Sequence, residues 1–450
     1  MKYCLSRFTK IVSHDEQGIT IIYNTFNGNQ SYIYDKKILE QIKLLENGSV
    51  DENLLDTALM QKYCVPENTD EAELAYRRLD DHINDDKALS LIIIPTLSCN
   101  FNCKYCYEEK EPGYMSDDTF NNLYHAIKKY FSSVEGQRFL KLDWFGGEPL
   151  LCFDKVVDFT RKANAYCIKN KIAFQHSMTT NGYLLTVDKA ADLIKSGIVL
   201  YQITIDGAET THNKYRPLVN GEPTWKTIVD NLKALKDLPY AFKVQMRINY
   251  NMDVIEDLES FFDFYRTEFE DDNRFELTLH TMGHWGGSND DSFQVFPSDY
   301  QSYMMSQLME LGLAHGVSHF AAYTPKCGGE LCYANIKHSY VIYKDGSIGK
   351  CTLEEAPDKD SDFVIGNINK GFFDIDPERE RKWVFTLNDL KELINGNACA
   401  NCTCLPLCGG TTCPAQRIRT GIKKPKCTPT ALALDELILL NYKMVQKESE

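Results

Sequence analysis

Three cysteines, Cys99, Cys103 and Cys106, stand at C-x3-C-x2-C spacing in the run Cys-Asn-Phe-Asn-Cys-Lys-Tyr-Cys. With 16 cysteines among 450 residues, chance would place that spacing only roughly 0.02 times per chain. A cubane of four irons normally takes four thiolates, so three on one short loop leave one iron open to another ligand. A structural zinc ion is the alternative, but it wants a fourth Cys or His close by and none follows within the loop. The remaining cysteines also cluster. Cys327, Cys332 and Cys351 make a second group; Cys399, Cys402, Cys404, Cys408, Cys413 and Cys427 make a third; only Cys4, Cys64, Cys152 and Cys167 lie apart. Tight grouping suits several thiolates reaching one metal centre. The start, Met1-Lys2-Tyr3, carries no export signal that would favour lasting disulfides.

These groups need elements to hold them, and the sequence divides into three parts. Residues 1–85 read as a small winged-helix-like unit of three short strands and then three helices. Alternation around Tyr3 to Val12 and Thr20 to Tyr23 is broken by turn signals at Glu16-Gln17-Gly18 and Asn27-Gly28-Asn29; helices follow over Lys36–Leu45, Val50–Gln61 and Thr69–Ile83, the last capped by Asn68. Residues 86–298 alternate strands with helical segments, the pattern of parallel βα units. Strands are expected at Ser90–Pro95, Phe139–Phe145, Ala173–Thr179, Val199–Ile205, Phe242–Tyr250 and Phe275–Thr281. Six such units make an α/β fold, a partial (β/α)6 TIM-type barrel, in which loops at the C-terminal strand ends carry the chemistry. The first cysteine group falls directly after the first of these strands. Residues 299–450 begin with a helical stretch, lose periodicity in a Cys-, Gly- and Pro-rich region and end in an apolar helix over Ala431–Val445. Iron clusters would supply the order that such a Cys-rich C-terminal domain lacks.

With its strand-end companions, the loop resembles the radical S-adenosylmethionine (SAM) enzymes. Gly146-Gly147-Glu148-Pro149 follows the second strand as that family's GGEP motif does; Thr180-Asn181-Gly182 ends the third strand; Gln202-Ile-Thr204-Ile-Asp206-Gly207 ends the fourth, with Arg216 ten residues beyond Asp206. The resemblance implies a SAM-binding [4Fe-4S] cluster on Cys99, Cys103 and Cys106. It implies backbone contact with the cofactor at Gly146 and Gly147, acceptance from its ammonium by Glu148, and packing of Tyr105 against adenine. Thr204 and Arg216 would hold its carboxylate and ribose, an arginine fork being suited to a carboxylate. Alone, the Gly-Gly-Glu-Pro run is an ordinary turn and Arg216 a surface ion pair; His280 and His284 are left without a role.

The later cysteines resemble the twin-cluster SPASM extension of some of these enzymes. Position by position, the resemblance implies one auxiliary [4Fe-4S] cluster on Cys327, Cys332, Cys351 and Cys413 and another on Cys399, Cys402, Cys408 and Cys427, three clusters in all. The interval from Cys408 to Cys413 is one residue longer than is usual there. Cys404 is a spare thiol and an alternative ligand; Cys4, Cys64, Cys152 and Cys167 read as buried small hydrophobes.

Two functions compete within this resemblance. Anaerobic sulfatase maturases place an aspartate, serving as a base, directly after the cysteine equivalent to Cys351. Here the residue is Thr352, with Glu354 and Glu355 displaced beyond it. The second reading is a maturase of ribosomally made precursor peptides that installs a cross-link, a Cys thioether ahead of a carbon-carbon bond. It is favoured by the N-terminal unit, whose element order is that of a leader-recognition domain. A non-catalytic electron carrier would need no GGEP turn. Electrons would come from a partner such as flavodoxin or ferredoxin. With 49 basic against 64 acidic residues and a net charge of −15, nucleic acid is not an expected partner. The longest apolar run, Leu89 to Leu97, is about half the roughly 20 residues that cross a bilayer, so no membrane is expected and the reading is cytoplasmic.

Overall fold

The computed structural model describes residues 2–14, 18–46, 50–51, 63–321, 331–353, 361–394, 398–410, 413–421 and 427–449. It contains two compact units. One comprises residues 85–321 and 337–383; the other joins residues 1–84 to 322–336 and 384–450.

In the smaller unit the order is β1 (Lys2–Leu5), β2 (Thr9–His14), β3 (Ile19–Asn24), β4 (Gln30–Ile33), α1 (Lys36–Glu46), β5 (Val50–Asp51), β6 (Cys64–Pro66) and α2 (Glu71–Ile83). They form two three-stranded sheets, β5-β1-β6 and β2-β3-β4, rather than one run of three strands. The stretch from Tyr3 to Val12 divides because the chain turns at Ser6, whose amide donates to the Tyr63 carbonyl and whose carbonyl accepts from Thr9. Val50, expected to open a helix, pairs with Tyr3 instead; the rest of that expected helix, residues 52–62, lies outside the described residues. Asp70, not Asn68, caps α2, its carboxylate accepting from the Glu73 amide. The C-terminal helix α3 (Leu434–Ser449) belongs to the same core. Val12, Ile21 and Tyr23 from the strands pack with Cys404, Leu407 and Ile438.

The larger unit is built on β7 (Ala88–Ile93), β8 (Phe139–Trp144), β9 (Ala173–Thr180), β10 (Ile198–Thr204), β11 (Lys243–Tyr250) and β12 (Phe275–Thr281), each within two residues of expectation. Neighbouring strands in this series pair in parallel. Their residues alternate in burial along the strand. One set, including Leu89, Leu140, Met178, Ile203, Met246 and Leu277, is buried, as required of the face that packs under helices. The alternate set carries polar pairs: Lys141 bridges Asp143 at 2.8 Å, Gln245 donates to Glu276 at 2.8 Å, and Arg247 donates to Asn249 at 2.9 Å. One difference from expectation is an extension of the sheet. β13 (Ser339–Ile342) adds in parallel to β7, and β14 (Ser347–Gly349) pairs antiparallel with it, within sequence that showed little periodicity. These strands are only three or four residues long, too short for alternation to register. Among the described residues no helix is long and apolar enough to cross a membrane.

Candidate functional site

The cysteine loop leaves β7 and borders a cavity of about 300 Å³ lined by Cys99, Cys103 and Cys106 together with residues from the ends of β8 to β12. All three thiols are half-buried. Desolvation pushes Cys99 up to about 12 and raises Cys103 and Cys106 as well. Thiolates there need a compensating positive centre, as a metal cluster provides. Among the described residues no three Cys, His, Asp or Glu side chains converge on one ion position. Cubane thiolates bind different irons and have no such requirement.

The Gly-Gly-Glu-Pro turn closes onto this loop. The Gly147 amide donates to Thr96 at 3.2 Å and the Glu148 amide to Ser98 at 2.9 Å. A Cβ on Gly147 would lie 2.3 Å from the Ser98 carbonyl oxygen, so only glycine permits this approach. Gly146 has φ +110° and would also meet the Thr96 carbonyl. Both glycines line the cavity. Glu148 is fully buried behind them. One carboxylate oxygen accepts from the Leu150 amide at 2.9 Å and from the Thr180 hydroxyl at 2.8 Å, and the other accepts from the Asn181 amide at 2.8 Å. It thereby ties the β8 turn to the end of β9. Burial raises its pKa despite these donors.

Thr204, Arg216, Arg247 and Asn249 line the same cavity. Arg216 is buried, and its Nε has no hydrogen-bond partner. A buried guanidinium with an unpartnered nitrogen, on a residue that lines the cavity, fits an anionic group such as the carboxylate of SAM. The glycine cradle, the three thiols and this arginine therefore fit the cofactor and cluster that the sequence implies. Tyr105 lines the same cavity, with its hydroxyl bonded to Asp206, Arg216 and Asn249. His280 pairs with Asn249 in the strand register; His284 lies 3.2 Å from the Phe293 carbonyl. Arg247, Asn249, Glu108, Trp285 and Leu353 also line the cavity and were not anticipated. For the first two a signal existed: Gln245, Arg247 and Asn249 alternate with apolar residues along the fifth barrel strand.

In the smaller unit Cys399 and Cys402 are half-buried, Cys408 is buried and Cys427 is exposed. Burial pushes Cys408 up to about 11, with added contributions from Cys402, Cys399 and Cys427, so these four sulfurs lie within electrostatic reach of one another. Cys404 is buried among them, its thiol 3.8 Å from the Ala431 carbonyl, and packs in the core with Ile21 and Leu407. Cys332 is half-buried and Cys413 exposed in this unit; Cys351 is buried in the larger one. Cys327 lies outside the described residues.

A series of six parallel βα strands, with a three-cysteine loop after the first and a glycine turn after the second, defines a radical SAM domain, and residues 93–264 match the family model described as the Radical SAM superfamily. The chain carries a radical SAM domain and is homologous to anaerobic sulfatase maturases. It is 24% identical over 357 residues to the cysteine-type anaerobic sulfatase-maturating enzyme of Clostridium novyi, covering 72% of this chain and 87% of that protein. Among solved structures, anSMEcpe with bound AdoMet and the Cp18Cys peptide superposes with a TM-score of 0.58 at 19% identity, over 80% of this chain and 98% of that one. Streptococcus suis SuiB bound to the precursor peptide SuiA gives 0.51 at 16% identity, over 96% and 99%. At these identities the superpositions establish a shared fold.

Proposed function

We propose that this enzyme is a maturase of a ribosomally made precursor peptide and that it installs an intramolecular cross-link, a Cys thioether in the first instance. The observation that carries this reading is the cavity wall. Among the described residues that line it, Glu108 is the only carboxylate. The segment after Cys351 brings Leu353 to the cavity, and its first residue is Thr352. A threonine hydroxyl is not a general base at neutral pH, which disfavours the proton removal that formylglycine formation requires. Homology to sulfatase maturases and the likeness to SuiB both support a peptide substrate.

SAM and a reduced cluster on Cys99, Cys103 and Cys106 supply, when bound, a radical able to abstract a substrate hydrogen. The chain's own residues do the positioning. Gly146 and Gly147 leave room for close backbone approach, Arg216 and Thr204 face the cofactor's anionic and ribose portions, and Glu148 holds the turn rigid from behind. The polar face of Arg247, Asn249 and Gln202 orients the peptide. Two auxiliary clusters on the later cysteines, and a flavodoxin or ferredoxin as electron donor, complete the proposal. Leader recognition is assigned to the N-terminal segment. There a groove between β2 and α1 is lined by Ile11, Ile19, Leu39 and Ile42, with an apolar floor suited to alternate side chains of an added strand.

Anaerobic co-expression with small precursors encoded nearby, followed by mass spectrometry, tests the reading. Loss of two hydrogens per cross-link, with the corresponding cysteine protected from alkylation, is the expected result. An alkylatable cysteine after the same loss would favour a carbon-carbon bond. Formylglycine on a sulfatase peptide would replace the proposal with sulfatase maturation.

A further inference from the structure

The hydroxyl of Tyr105, on the loop between Cys103 and Cys106, is a junction. It donates to one carboxylate oxygen of Asp206 and accepts from Arg216 Nη1 at 2.7 Å and from Asn249 Nδ2 at 3.0 Å. A phenol has one proton and two lone pairs, so all its capacity is used. The other Asp206 oxygen accepts from the Asn249 amide at 2.7 Å. Arg216 and Asp206 are both buried, and their opposite charges meet through this phenol.

A second chain of bonds fixes the same two residues through their backbones. The Asp206 amide donates to His212 Nδ1 at 3.0 Å, His212 Nε2 lies 3.1 Å from the Thr224 hydroxyl, and that hydroxyl donates to the Arg216 carbonyl at 2.6 Å. Only one assignment of protons satisfies every member: His212 neutral, with its hydrogen on Nε2. Burial, which lowers the His212 pKa, favours that neutral form. The guanidinium is further held 5.5 Å from the Phe101 ring centre and 6.0 Å from that of Tyr105. Arg216 lines the cavity, and its Nε is buried without a hydrogen-bond partner.

We infer that Tyr105, Asp206 and His212 are positioning residues that lock Arg216 in its cofactor-facing orientation and, because Tyr105 sits between two cluster cysteines, couple the geometry of the cysteine loop to SAM affinity. In this role Tyr105 acts through its hydroxyl, whatever its ring contributes to adenine. The inference rests on Arg216 facing the anionic end of SAM.

Anaerobically reconstituted full-length Tyr105→Phe is the primary test, because the ring and loop volume are retained. It is expected to keep wild-type iron content and the wild-type EPR spectrum of the reduced cluster without SAM. SAM should bind roughly tenfold or more weakly, the scale of one charge-assisted hydrogen bond. The perturbation of the cluster's EPR signal by SAM should be correspondingly reduced at a fixed concentration. Arg216→Lys should weaken binding too, and the double variant should be no weaker than Arg216→Lys alone, since both changes break one linkage. Wild-type affinity in Tyr105→Phe, additive losses in the double variant, or loss of iron from Tyr105→Phe would each overturn the lock. Absence of SAM binding by the wild type would overturn the cofactor assignment itself.

Discussion

Gly147 has no freedom to become anything larger. An added Cβ would meet the Ser98 carbonyl oxygen at 2.3 Å and the Leu97 carbonyl oxygen at 2.6 Å, and both belong to backbone leading directly into Cys99. Neither can move without moving the cysteine loop. Overpacking a tight site costs about 1–3 kcal/mol, and here the displacement falls on metal ligands. Gly147→Ala should therefore lower the melting temperature and reduce iron retained at the SAM-binding cluster, read as iron per chain after reconstitution and gel filtration. Full iron content with an unchanged melting temperature would show that the loop can yield. Glu148 belongs to the same construction. Its three accepted hydrogen bonds come from the β8 turn and the end of β9, so its contribution to the site is made from behind the wall. The motif's spacing revealed that these residues belong together. It could not reveal that the carboxylate faces inward, because direction depends on partners more than thirty residues away.

The barrel strands were legible because most of them alternate buried and accessible residues over five or more positions, as in Leu140, Leu142 and Trp144 against Lys141 and Asp143. The smaller unit was less so. Its N-terminal strands share their core with residues nearly 400 positions later, and no local pattern encodes such a pairing. Thr25 donates its hydroxyl to the Thr403 carbonyl at 2.5 Å, Glu73 bridges Lys391 at 2.7 Å, and Leu407, fully buried, packs with Ile21, Tyr23 and Ile438. Sheet β2-β3-β4 and the cysteine-rich segment thus depend on one another. Leu407→Ala, a core truncation of the type that costs about 2–5 kcal/mol, should lower hydrogen-exchange protection in Thr9–His14 and Ile19–Asn24 together with protection in Leu434–Ser449. Loss confined to the C-terminal helix would mean that the N-terminal strands hold together without the tail.

Across the whole molecule, stability is linked to pH through groups whose burial fixes their protonation. His176 and His212 are fully buried. Desolvation pulls His176 down to about 4 and His212 well below its ordinary value. An unfolded histidine takes its proton near pH 6.5. Between that pH and the folded value, the unfolded chain binds a proton that the folded chain refuses, so stability falls as pH falls. The slope is about 1.4 kcal/mol per pH unit for each such histidine. Buried Glu148 and Asp206 act in the opposite sense, since desolvation raises both: their contribution is present at low pH and is lost as pH rises through the raised values. A difference measurement separates these effects. His176 hydrogen-bonds Asn164 Oδ1 at 2.6 Å through Nε2, a contact that a glutamine amide nitrogen can replace as donor. Urea midpoints for wild type and His176→Gln, measured anaerobically from pH 7 to pH 5, should diverge because the wild type loses one proton's worth of stability more per pH unit than the variant does. Parallel curves would mean that His176 is protonated in the folded protein over this range, in conflict with its dry surroundings beneath β9.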